Sequence, residues 1–491
     1  LIKLLRLGIV LLIIGIPAYP KFPILSLPGT YVSIRAEDFL IAIITLVWII
    51  YIRNKWQELR NMNVIKAVVL FLSVGVVASL SAILLTQTGK PFQIILHTMR
   101  RWEYLVVLPI IISIVKTRKD VLYYLKVVLL TIIIVLIYGL GQKIFEWPII
   151  STMNKEYSQG IAQAIMKGGR INSTFAGHYD LAAYGVIMMN ILFGILAASK
   201  FKTSKIYIVG LILGVGWILG VSASRISFAA YLGSILVTMT LIRKWLWIVP
   251  VMGISLLVFL KTPSLMDRYS EAFRYEFLPR IANIEWFWNK TSTGDKDIAI
   301  IPTIIPTPTL ATLDSTNVIN QEQDFITNNI AEVTPTKTPK SIAGTQLQYV
   351  QPPEDRSTAI RFKVEWPRAI RAWMKNPLLG LGYSSITLAT DNDYLRALGE
   401  VGLLGFSAFV ILLISIFVEM INFLKKKFKT SDGAIVIGYL GAMVGFLANA
   451  MFIDVFEASK VAIYFWILTG IFIAFVRKKK KKHTDPILYK K

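Results

Sequence analysis

The sequence predicts an all-α, polytopic transmembrane protein, and three observations carry this prediction. Of the 491 residues, 55% are hydrophobic and only 17% are charged, a composition too apolar for an ordinary soluble chain. Apolar segments of about 15 to 25 residues, the length of helix that crosses a bilayer, recur along almost the whole chain. Basic residues concentrate in alternate connections between these segments, as they do in proteins that cross a membrane repeatedly.

The apolar segments predict a bundle of about twelve membrane-spanning helices. They cover residues 4–18, 38–53, 65–86, 102–115, 121–140, 180–198, 205–221, 226–242, 244–260, 402–424, 433–452 and 458–476. The first nine form an N-terminal transmembrane part, 1–260, and the last three belong to a C-terminal part, 394–476.

The basic residues predict the orientation, because Lys and Arg in short connections stay on the cytoplasmic side. They follow every even-numbered segment. They are Arg53, Lys55, Arg60, Lys116, Arg118, Lys119, Lys200, Lys202, Lys205, Arg243, Lys244, Lys425, Lys426, Lys427, Lys429 and Arg477 with Lys478–Lys482. We therefore expect both termini in the cytoplasm, with 477–491 as a basic tail and 261–393 as an extracytoplasmic loop.

The long loop changes composition in its middle. Residues 291–357 are rich in Thr, Pro, Asn and Gln, and such a stretch buries too little apolar surface to offset the entropy of ordering. We expect a disordered insert there. On either side, Met266–Trp288 and Arg361–Lys375 combine aromatic and basic residues at helical spacing, which predicts interfacial helices at the outer membrane surface.

Composition also excludes several kinds of chemistry. The chain has no cysteine, so disulfides, thiolate metal sites and a cysteine nucleophile are impossible. Three histidines offer little for a zinc site, and we predict neither a metal nor a cofactor. The net charge of +24 arises from short basic runs beside apolar segments, which favours membrane lipids over nucleic acid as partners.

Arginines on the predicted outer side call for an explanation, since short external connections are usually poor in them. Arg100 and Arg101 precede the fourth segment, Arg170 precedes the sixth, and Arg225 lies in the turn between the seventh and eighth. One interpretation is that they snorkel to lipid head groups or hold a turn. The other is that their guanidinium groups bind a pyrophosphate in bidentate fashion.

Three separated stretches resemble the O-antigen ligase and polymerase superfamily. The first, Arg170–Tyr184, contains Thr174-Phe175 and leads into Leu181-Ala182; the second is Ser224-Arg225. The third runs from Ser357 through a Pro-Leu-Leu-Gly-Leu-Gly turn, 377–382, to an Asp-Asn-Asp-Tyr-Leu segment, 391–395, and Glu400-Val-Gly-Leu. Together they lie within residues 100–405.

This resemblance implies a function. It indicates a GT-C-like membrane glycosyltransferase that moves or polymerises an undecaprenyl-pyrophosphate-linked oligosaccharide at the extracytoplasmic face of the bacterial cytoplasmic (inner) membrane. The acceptor is a glycan, a lipid or a protein, and we expect a metal-independent, inverting transfer. Such an enzyme serves the biosynthesis of lipopolysaccharide or another cell-envelope polysaccharide.

The resemblance also implies which residues form the site. Asp391 stands where ligases commonly carry His and would accept the proton of the acceptor hydroxyl, which favours a polymerase or another glycan transferase over a ligase. Arg225 is the second catalytic residue. The predicted substrate-binding residues are Arg170, Arg361, His178, Arg101, Asn392, Tyr394 and Glu400.

Asp391 and Glu400 also have purely structural interpretations. Thr390 and Asp393 have the spacing of a helix capping box that would include Asp391 in its first turn. Asp393 and Glu400 lie three and four residues from Arg396 and could simply pair with it.

Other residues near these motifs have structural interpretations of the same kind. His178 could cap a helix or lie at the membrane interface. Trp366 and Trp373 could anchor the interface, and Gly380 and Gly382 are turn glycines under either interpretation.

Two other classes of protein fit the composition. A flippase or transporter for lipid-linked oligosaccharides would carry charged residues deep within facing spans. A receptor or scaffold would use the Thr/Pro-rich insert to recruit partners. The charged residues that call for an explanation lie mainly at one predicted membrane surface, which favours the transferase.

Overall fold

The structure is a computed structural model, and helices dominate the residues that it describes. These residues are 1–20, 22–26, 33–150, 162–163, 169–262, 265–266, 269–270, 360–386 and 389–477. The predicted insert at 291–357, most of the predicted helix Met266–Trp288 and nearly all of the basic tail lie outside them.

The α-helices are numbered in chain order. They are α1 Ile2–Ala18, α2 Ala36–Ile52, α3 Trp56–Arg60, α4 Asn63–Ser81, α5 Pro91–Ile114, α6 Arg118–Phe145, α7 His178–Ala198, α8 Lys202–Val221, α9 Arg225–Ile242, α10 Trp245–Leu260, α11 Trp366–Lys375, α12 Asp393–Lys427, α13 Ser431–Asn449 and α14 Ser459–Val476. π-Helical turns at Ala82–Thr86 and Arg361–Glu365 extend α4 and precede α11.

The only strands in the described residues form two small antiparallel pairs. β1 Pro23–Ser26 pairs with β2 Ser33–Arg35, and β3 Ile149–Ile150 pairs with β4 Ala162–Gln163. These pairs lie in connections between helices and leave the predicted all-α class intact.

Eight helices of the described residues are long and apolar enough to cross a membrane. They are α4 with its π-helical turn, α6, α7, α8, α9, α12, α13 and α14. Helix α10 is apolar but shorter. The outer faces of the eight helices carry large apolar side chains, such as Ile144, Ile206 and Ile414, which are 64%, 64% and 55% exposed. Such a surface is typical of a protein surrounded by lipid.

Every predicted segment contains a helix, but two helices begin about ten residues before the predicted segment. Helix α5 begins at Pro91 rather than at 102, and α12 begins at Asp393 rather than at 402. The predicted segments were therefore too short at these ends. As a result Arg100 and Arg101, which we expected before a helix, lie inside α5.

Helices α7, α13 and α14 form the centre of the bundle. α7 packs along α13, while α14 packs along α5. The backbones of α7 and α13 meet at Gly194 and Gly438, where a Cβ atom on Gly194 would lie 2.8 Å from the Gly438 Cα. Small residues allow this close approach, as they do in helix pairs within membranes.

One end of the bundle, which we call the site end, gathers the ends of α1 and α13 and the beginnings of α7, α9, α12 and α14. The Ser227 hydroxyl on α9 donates to Asn449 Oδ1 on α13, at 2.7 Å. The Asp393 N–H of α12 donates to the Ala450 carbonyl, at 2.9 Å. Lys460 on α14 donates to the Thr174 carbonyl before α7, at 2.7 Å.

The opposite end, which we call the basic end, is joined by ion pairs. Arg118 at the beginning of α6 lies 2.8 Å from Asp432 at the beginning of α13. Arg477 at the end of α14 lies 3.7 Å from Glu419 near the end of α12. The connections predicted to be cytoplasmic lie at this end.

Helix α12 is broken at Gly402, whose backbone has φ +64° and ψ −170°. The turn 377–382 docks at this break through its main chain. Leu403 N–H donates to the Pro377 carbonyl at 2.8 Å and Leu404 N–H to the Leu378 carbonyl at 3.1 Å.

The same junction is completed by hydrogen bonds in the other direction. Leu381 N–H donates to the Gly399 carbonyl at 2.9 Å and Gly382 N–H to the Glu400 carbonyl at 2.8 Å. Main-chain groups that the break would leave unpaired are thus satisfied by the turn.

Candidate functional site

The described residues include seven charged side chains that are buried, and all seven lie at the site end. They are Arg35, Glu37, Arg361, Asp393, Arg396, Glu400 and Lys460. Because a buried charge is costly unless it is paired and hydrogen-bonded, their partners show how this end is built.

Arg396 on α12 connects three carboxylates. Its Nη1 donates to Asp454 Oδ2 at 2.8 Å, and its Nε lies 3.4 Å from Glu400 Oε1 and 3.5 Å from Glu457 Oε1. The predicted pairing of Glu400 with Arg396 is confirmed. Asp393 makes no ion pair with Arg396; its Oδ2 accepts from the Phe456 N–H at 3.0 Å instead. The two acidic residues Asp454 and Glu457 come from the short connection between α13 and α14.

Arg101 approaches the same carboxylates from α5. It forms an ion pair with Glu457, lies 3.9 Å from Glu400 Oε2 and donates to the Phe456 carbonyl at 3.1 Å. Its guanidinium also lies 5.3 Å from the centre of the Tyr383 ring. The interpretation that Arg101 snorkels to head groups is wrong, since its partners are inside the protein.

Arg100 is likewise bound within the protein rather than at its surface. Its Nη2 donates to the Ser33 carbonyl at 3.1 Å and to Asp38 Oδ2 at 3.3 Å. Snorkelling is therefore wrong for this residue too.

A cavity of about 50 Å³ lies among these groups. Arg101, Tyr383, Arg396, Glu400 and Glu457 contribute its polar lining, and apolar side chains of α4, α5, α12 and α14 close it. Tyr383 is carried into this position by the turn that docks on α12. It packs against Gly75 of α4, where a Cβ atom would lie 2.7 Å from the Tyr383 hydroxyl.

Asp391 and Arg361 form an ion pair beside this cluster. Arg361 Nη2 and Nε lie 2.7 Å and 2.9 Å from the same oxygen, Asp391 Oδ2. No described residue donates to Oδ1. The Asp391 side chain is 28% exposed, whereas that of Arg361 is 6% exposed. One carboxylate oxygen of Asp391 is thus left for another partner.

The backbone around Asp391 is fixed by Asp454. The two oxygens of Asp454 accept from Thr390 N–H at 2.8 Å and from Asn392 N–H at 3.1 Å, on either side of Asp391. Asp391 itself has the left-handed φ of +48°, which is uncommon for a residue with a side chain. The turn therefore presents its carboxyl group in a defined place.

The capping box predicted for Thr390 and Asp393 is wrong. Asn392 is the N-cap of α12, and its Oδ1 accepts from Tyr394 N–H and Leu395 N–H at 3.1 Å and 3.0 Å. Asn is a better acceptor for these two donors because it directly precedes the first turn. Capping therefore does not account for Asp391, whose carboxylate is held by Arg361.

Glu365 is a second carboxyl group near Asp391 that the sequence had not singled out. Its Oε2 is buried and has no hydrogen-bond partner in the described part of the chain. Burial raises the pKa of Glu365 to about 8, and the neighbouring Asp391 and Asp454 add to this effect.

The pKa of Asp391 is shifted in the same direction as that of Glu365. Burial also raises the pKa of Asp391, although Arg361 opposes the increase. Raised carboxyl pKa values in a partly open site are a feature of general acids and bases.

The remaining predicted residues have contacts of their own. Arg170 Nη1 lies 2.9 Å from His178 Nε2, and the Arg225 carbonyl accepts from the Tyr269 hydroxyl at 2.6 Å. His178 is the first residue of α7, after the N-cap Gly177, so the interpretation of His178 as the cap is wrong. The Tyr394 hydroxyl donates to the Leu447 carbonyl at 2.8 Å.

The structure places Arg170, Arg225 and Arg361 at the same end of the bundle. Arg361 forms an ion pair with Asp391, and Arg170 contacts His178. None of the three arginines, nor Asp391, is among the residues that line the 50 Å³ cavity. The cationic lining of that cavity comes from Arg101 and Arg396 instead.

The tryptophans of α11 are partly buried, and each has a contact with another part of the chain. The Trp366 ring lies 5.9 Å from that of Phe452, and Trp373 Nε1 donates to the Pro377 carbonyl at 3.1 Å. Gly380 and Gly382 have φ values of +65° and +86°, which confirms them as turn glycines.

Fold and site together define a class: a helical protein whose described residues include eight helices able to cross a membrane and a cluster of buried arginines and carboxylates at one end. No protein-family model matches the chain, and no curated protein matches its sequence. The described residues contain no group of three or more His, Asp or Glu side chains suited to a metal ion. The function must therefore be argued from the chemistry of the site.

Proposed function

We propose that the chain is a membrane glycan transferase of the O-antigen ligase and polymerase type. It would move an undecaprenyl-pyrophosphate-linked oligosaccharide to an acceptor at the extracytoplasmic face of a bacterial cytoplasmic membrane. The distribution of charge supports this orientation: the basic connections lie at one end of the bundle and the site at the other, and Lys and Arg favour the cytoplasmic side. About twelve spans and a GT-C-like architecture belong to the same proposal.

The observation that carries the proposal is the ion pair between Arg361 and Asp391. A guanidinium group binds a diphosphate well because its donors match two phosphate oxygens. When a diphosphate replaces Asp391 as the partner of Arg361, Asp391 Oδ2 loses its contacts with the guanidinium group. Both carboxylate oxygens of Asp391 are then available to accept a proton. Donor binding thereby prepares the base.

The transfer is an inverting displacement. The acceptor hydroxyl oxygen forms a bond to C1 of the donor sugar as the bond between C1 and the pyrophosphate oxygen breaks. The electron pair of that bond leaves with undecaprenyl pyrophosphate, and the hydroxyl proton passes to Asp391. Arg361, with Arg170 and Arg225 from the same end of the bundle, stabilises the charge that grows on the leaving group.

The distribution of buried charge favours this function over transport. A transporter needs polar groups along a path through the bundle. In the described residues every buried charged side chain lies at the site end, as a reaction at one surface requires. Arg101, Asn392, Tyr394, Glu400 and His178 support the site, since each already holds a neighbouring element in place.

The test uses purified full-length protein in liposomes with an undecaprenyl-pyrophosphate-linked oligosaccharide as donor. Release of undecaprenyl pyrophosphate and the lengthened or transferred glycan are measured together. We expect Asp391→Asn to lower turnover about 10²–10⁴-fold and Arg361→Ala about 10²–10³-fold. Arg371→Ala removes an exposed arginine of α11 and serves as the matched control, with turnover unchanged.

Two results would contradict the proposal. Full turnover in both site variants would remove Asp391 and Arg361 from the reaction. Movement of the donor across the bilayer without release of pyrophosphate would identify a transporter instead.

A further inference from the structure

A second and larger cavity lies at the basic end, away from the candidate site. Its volume is about 500 Å³, and it is bounded by α3 and by the ends of α2, α5 and α14. Lys55, Lys116, Arg477 and Glu58 supply its charged groups. Nothing in the proposed transfer reaction uses this cavity.

The cations of the cavity have little neutralisation from within the protein. Lys55 donates to the Tyr51 hydroxyl at 3.2 Å and lies 4.5 Å from the centre of that ring, so its ammonium is held in place without a carboxylate. Lys116 makes no ion pair within the described ranges. Arg477 has only the 3.7 Å contact with Glu419, which leaves an excess of positive charge.

The remaining wall of the cavity is apolar. Ile52, Leu59, Met62, Ile112 and Val115 line it. A ligand that suits both parts has an anionic head and a hydrocarbon tail. Basic pockets between helices at the cytoplasmic boundary have this preference for anionic lipid head groups.

The carboxylate of Glu58 narrows the class of lipid. A doubly charged phosphate would be repelled by it, whereas a head group with one phosphate and free hydroxyl groups could donate to it. Phosphatidylglycerol has this combination. We propose that the cavity between α2, α3, α5 and α14 binds one phosphatidylglycerol molecule, with its phosphate on Lys55 and Lys116 and its glycerol hydroxyls near Glu58.

The binding test uses the full-length protein in mild detergent, with native mass spectrometry to count bound lipid. Dioleoyl phosphatidylglycerol is titrated against dioleoyl phosphatidylcholine and dioleoyl phosphatidylethanolamine. We expect one phosphatidylglycerol to bind about 10-fold more tightly than either of the others, since each nearby lysine adds to the attraction of an anionic lipid. The double variant Lys55→Gln/Lys116→Gln should lose this preference.

The matched control is Lys200→Gln/Lys202→Gln, which removes the same charge from the same end of the bundle but outside the cavity. It should keep the preference. Lys55→Arg/Lys116→Arg should also keep it, and this variant remains informative if the uncharged pair does not fold. Thermal unfolding in phosphatidylcholine checks the fold of each variant.

Three results would overturn the proposal. Equal binding of the three lipids by wild-type protein would remove any selectivity. An equal loss of the preference for phosphatidylglycerol in Lys55→Gln/Lys116→Gln and in Lys200→Gln/Lys202→Gln would indicate that general surface charge attracts the lipid. Displacement of phosphatidylglycerol by soluble glycerol phosphate would assign the cavity to a soluble phosphate ligand instead.

Discussion

Asp454 organises the site at the level of single atoms. Its two oxygens accept from the main chain on both sides of Asp391 and from the guanidinium of Arg396. One side chain thus fixes the turn that presents the proposed base and neutralises a buried cation. Removal of such a group leaves several donors without an acceptor at once.

We expect Asp454→Asn to destabilise the protein by about 1–3 kcal/mol, because buried donors lose a charged acceptor, although Arg396 keeps Glu400 and Glu457 as partners. Turnover should fall as well, since the Asp391 turn loses its anchor. The control is Asp432→Asn, which breaks the exposed pair with Arg118 at the basic end and should cost under about 1 kcal/mol. Thermal unfolding in detergent measures both; equal effects would contradict the anchoring role.

Glu365 gives the site a dependence of stability on pH. Because the folded-state pKa of about 8 lies above the ordinary value, folding favours the protonated carboxyl group. That contribution is complete at acidic pH and is lost as the pH rises through about 8.

The unfolding midpoint should therefore fall between about pH 4.5 and pH 8, the ordinary and folded-state pKa values of Glu365, and Glu365→Gln should flatten this fall. Glu58→Gln, at an exposed position of the basic end, should leave the slope as in wild type. A slope that is identical in wild type and Glu365→Gln would show that Glu365 does not titrate in this range.

Among the elements, α12 departs furthest from a regular helix. Its break at Gly402 allows the turn 377–382 to pair with it and brings Tyr383 and Glu400 to one cavity. Only glycine suits the position, since a Cβ atom there would lie 2.3 Å from the Leu378 carbonyl oxygen.

We expect Gly402→Ala to lower the stability by at least about 1–3 kcal/mol from backbone strain alone and to abolish turnover. Gly233→Ala in α9 is the control, because no atom lies within 4 Å of its added Cβ. In a helix interior this change should be neutral or stabilising. Full activity in Gly402→Ala would mean that the junction is not needed.

The elements also show what could be predicted from the sequence and what could not. Apolar length located a helix in every predicted segment, because burial in lipid or protein demands it. The beginning of α5 lies earlier than predicted, because Arg100 and Arg101, which the sequence analysis places before the span, are inside the helix. Their charges are paired by distant carboxylates, which no local pattern contains.

At the site, the motifs located Arg361 and Asp391 but not the groups that hold them. Asp454, which fixes the turn at Asp391, and Glu457, which pairs with Arg101 and Arg396, lie in a connection of a few residues between two apolar segments. A carboxylate between two apolar segments is costly unless it has a partner. Its presence in the sequence therefore indicates a paired cation. Glu365 gives no such signal, since its isolation follows only from packing.

For the whole molecule, the separation of the two ends is the main feature. Buried ion pairs and the broken helix lie at the site end, while the basic connections between helices lie at the opposite end. This difference between the two ends is the feature of the fold that supports the proposed reaction at one membrane surface. It also makes the orientation a direct test of the proposed function.

The lack of cysteine allows that test without a background. We expect Lys90→Cys at the site end to react with a membrane-impermeant maleimide in intact cells, because it is exposed and extracytoplasmic in the proposed orientation. Lys200→Cys at the basic end should react only after permeabilisation. The reverse pattern would place the site in the cytoplasm and rule out an extracytoplasmic transfer.

The junction between α12 and the turn 377–382 has a consequence for how this molecule can change over evolutionary time. Its four hydrogen bonds join main chain to main chain, and peptide groups are the same whatever side chains they carry. Mutations of Leu378, Leu379 or Leu381 to other apolar residues can therefore accumulate without loss of the architecture. Only Gly380, Gly382 and Gly402 are held to one identity, so distant descendants of this chain would share three glycines and little else along the turn.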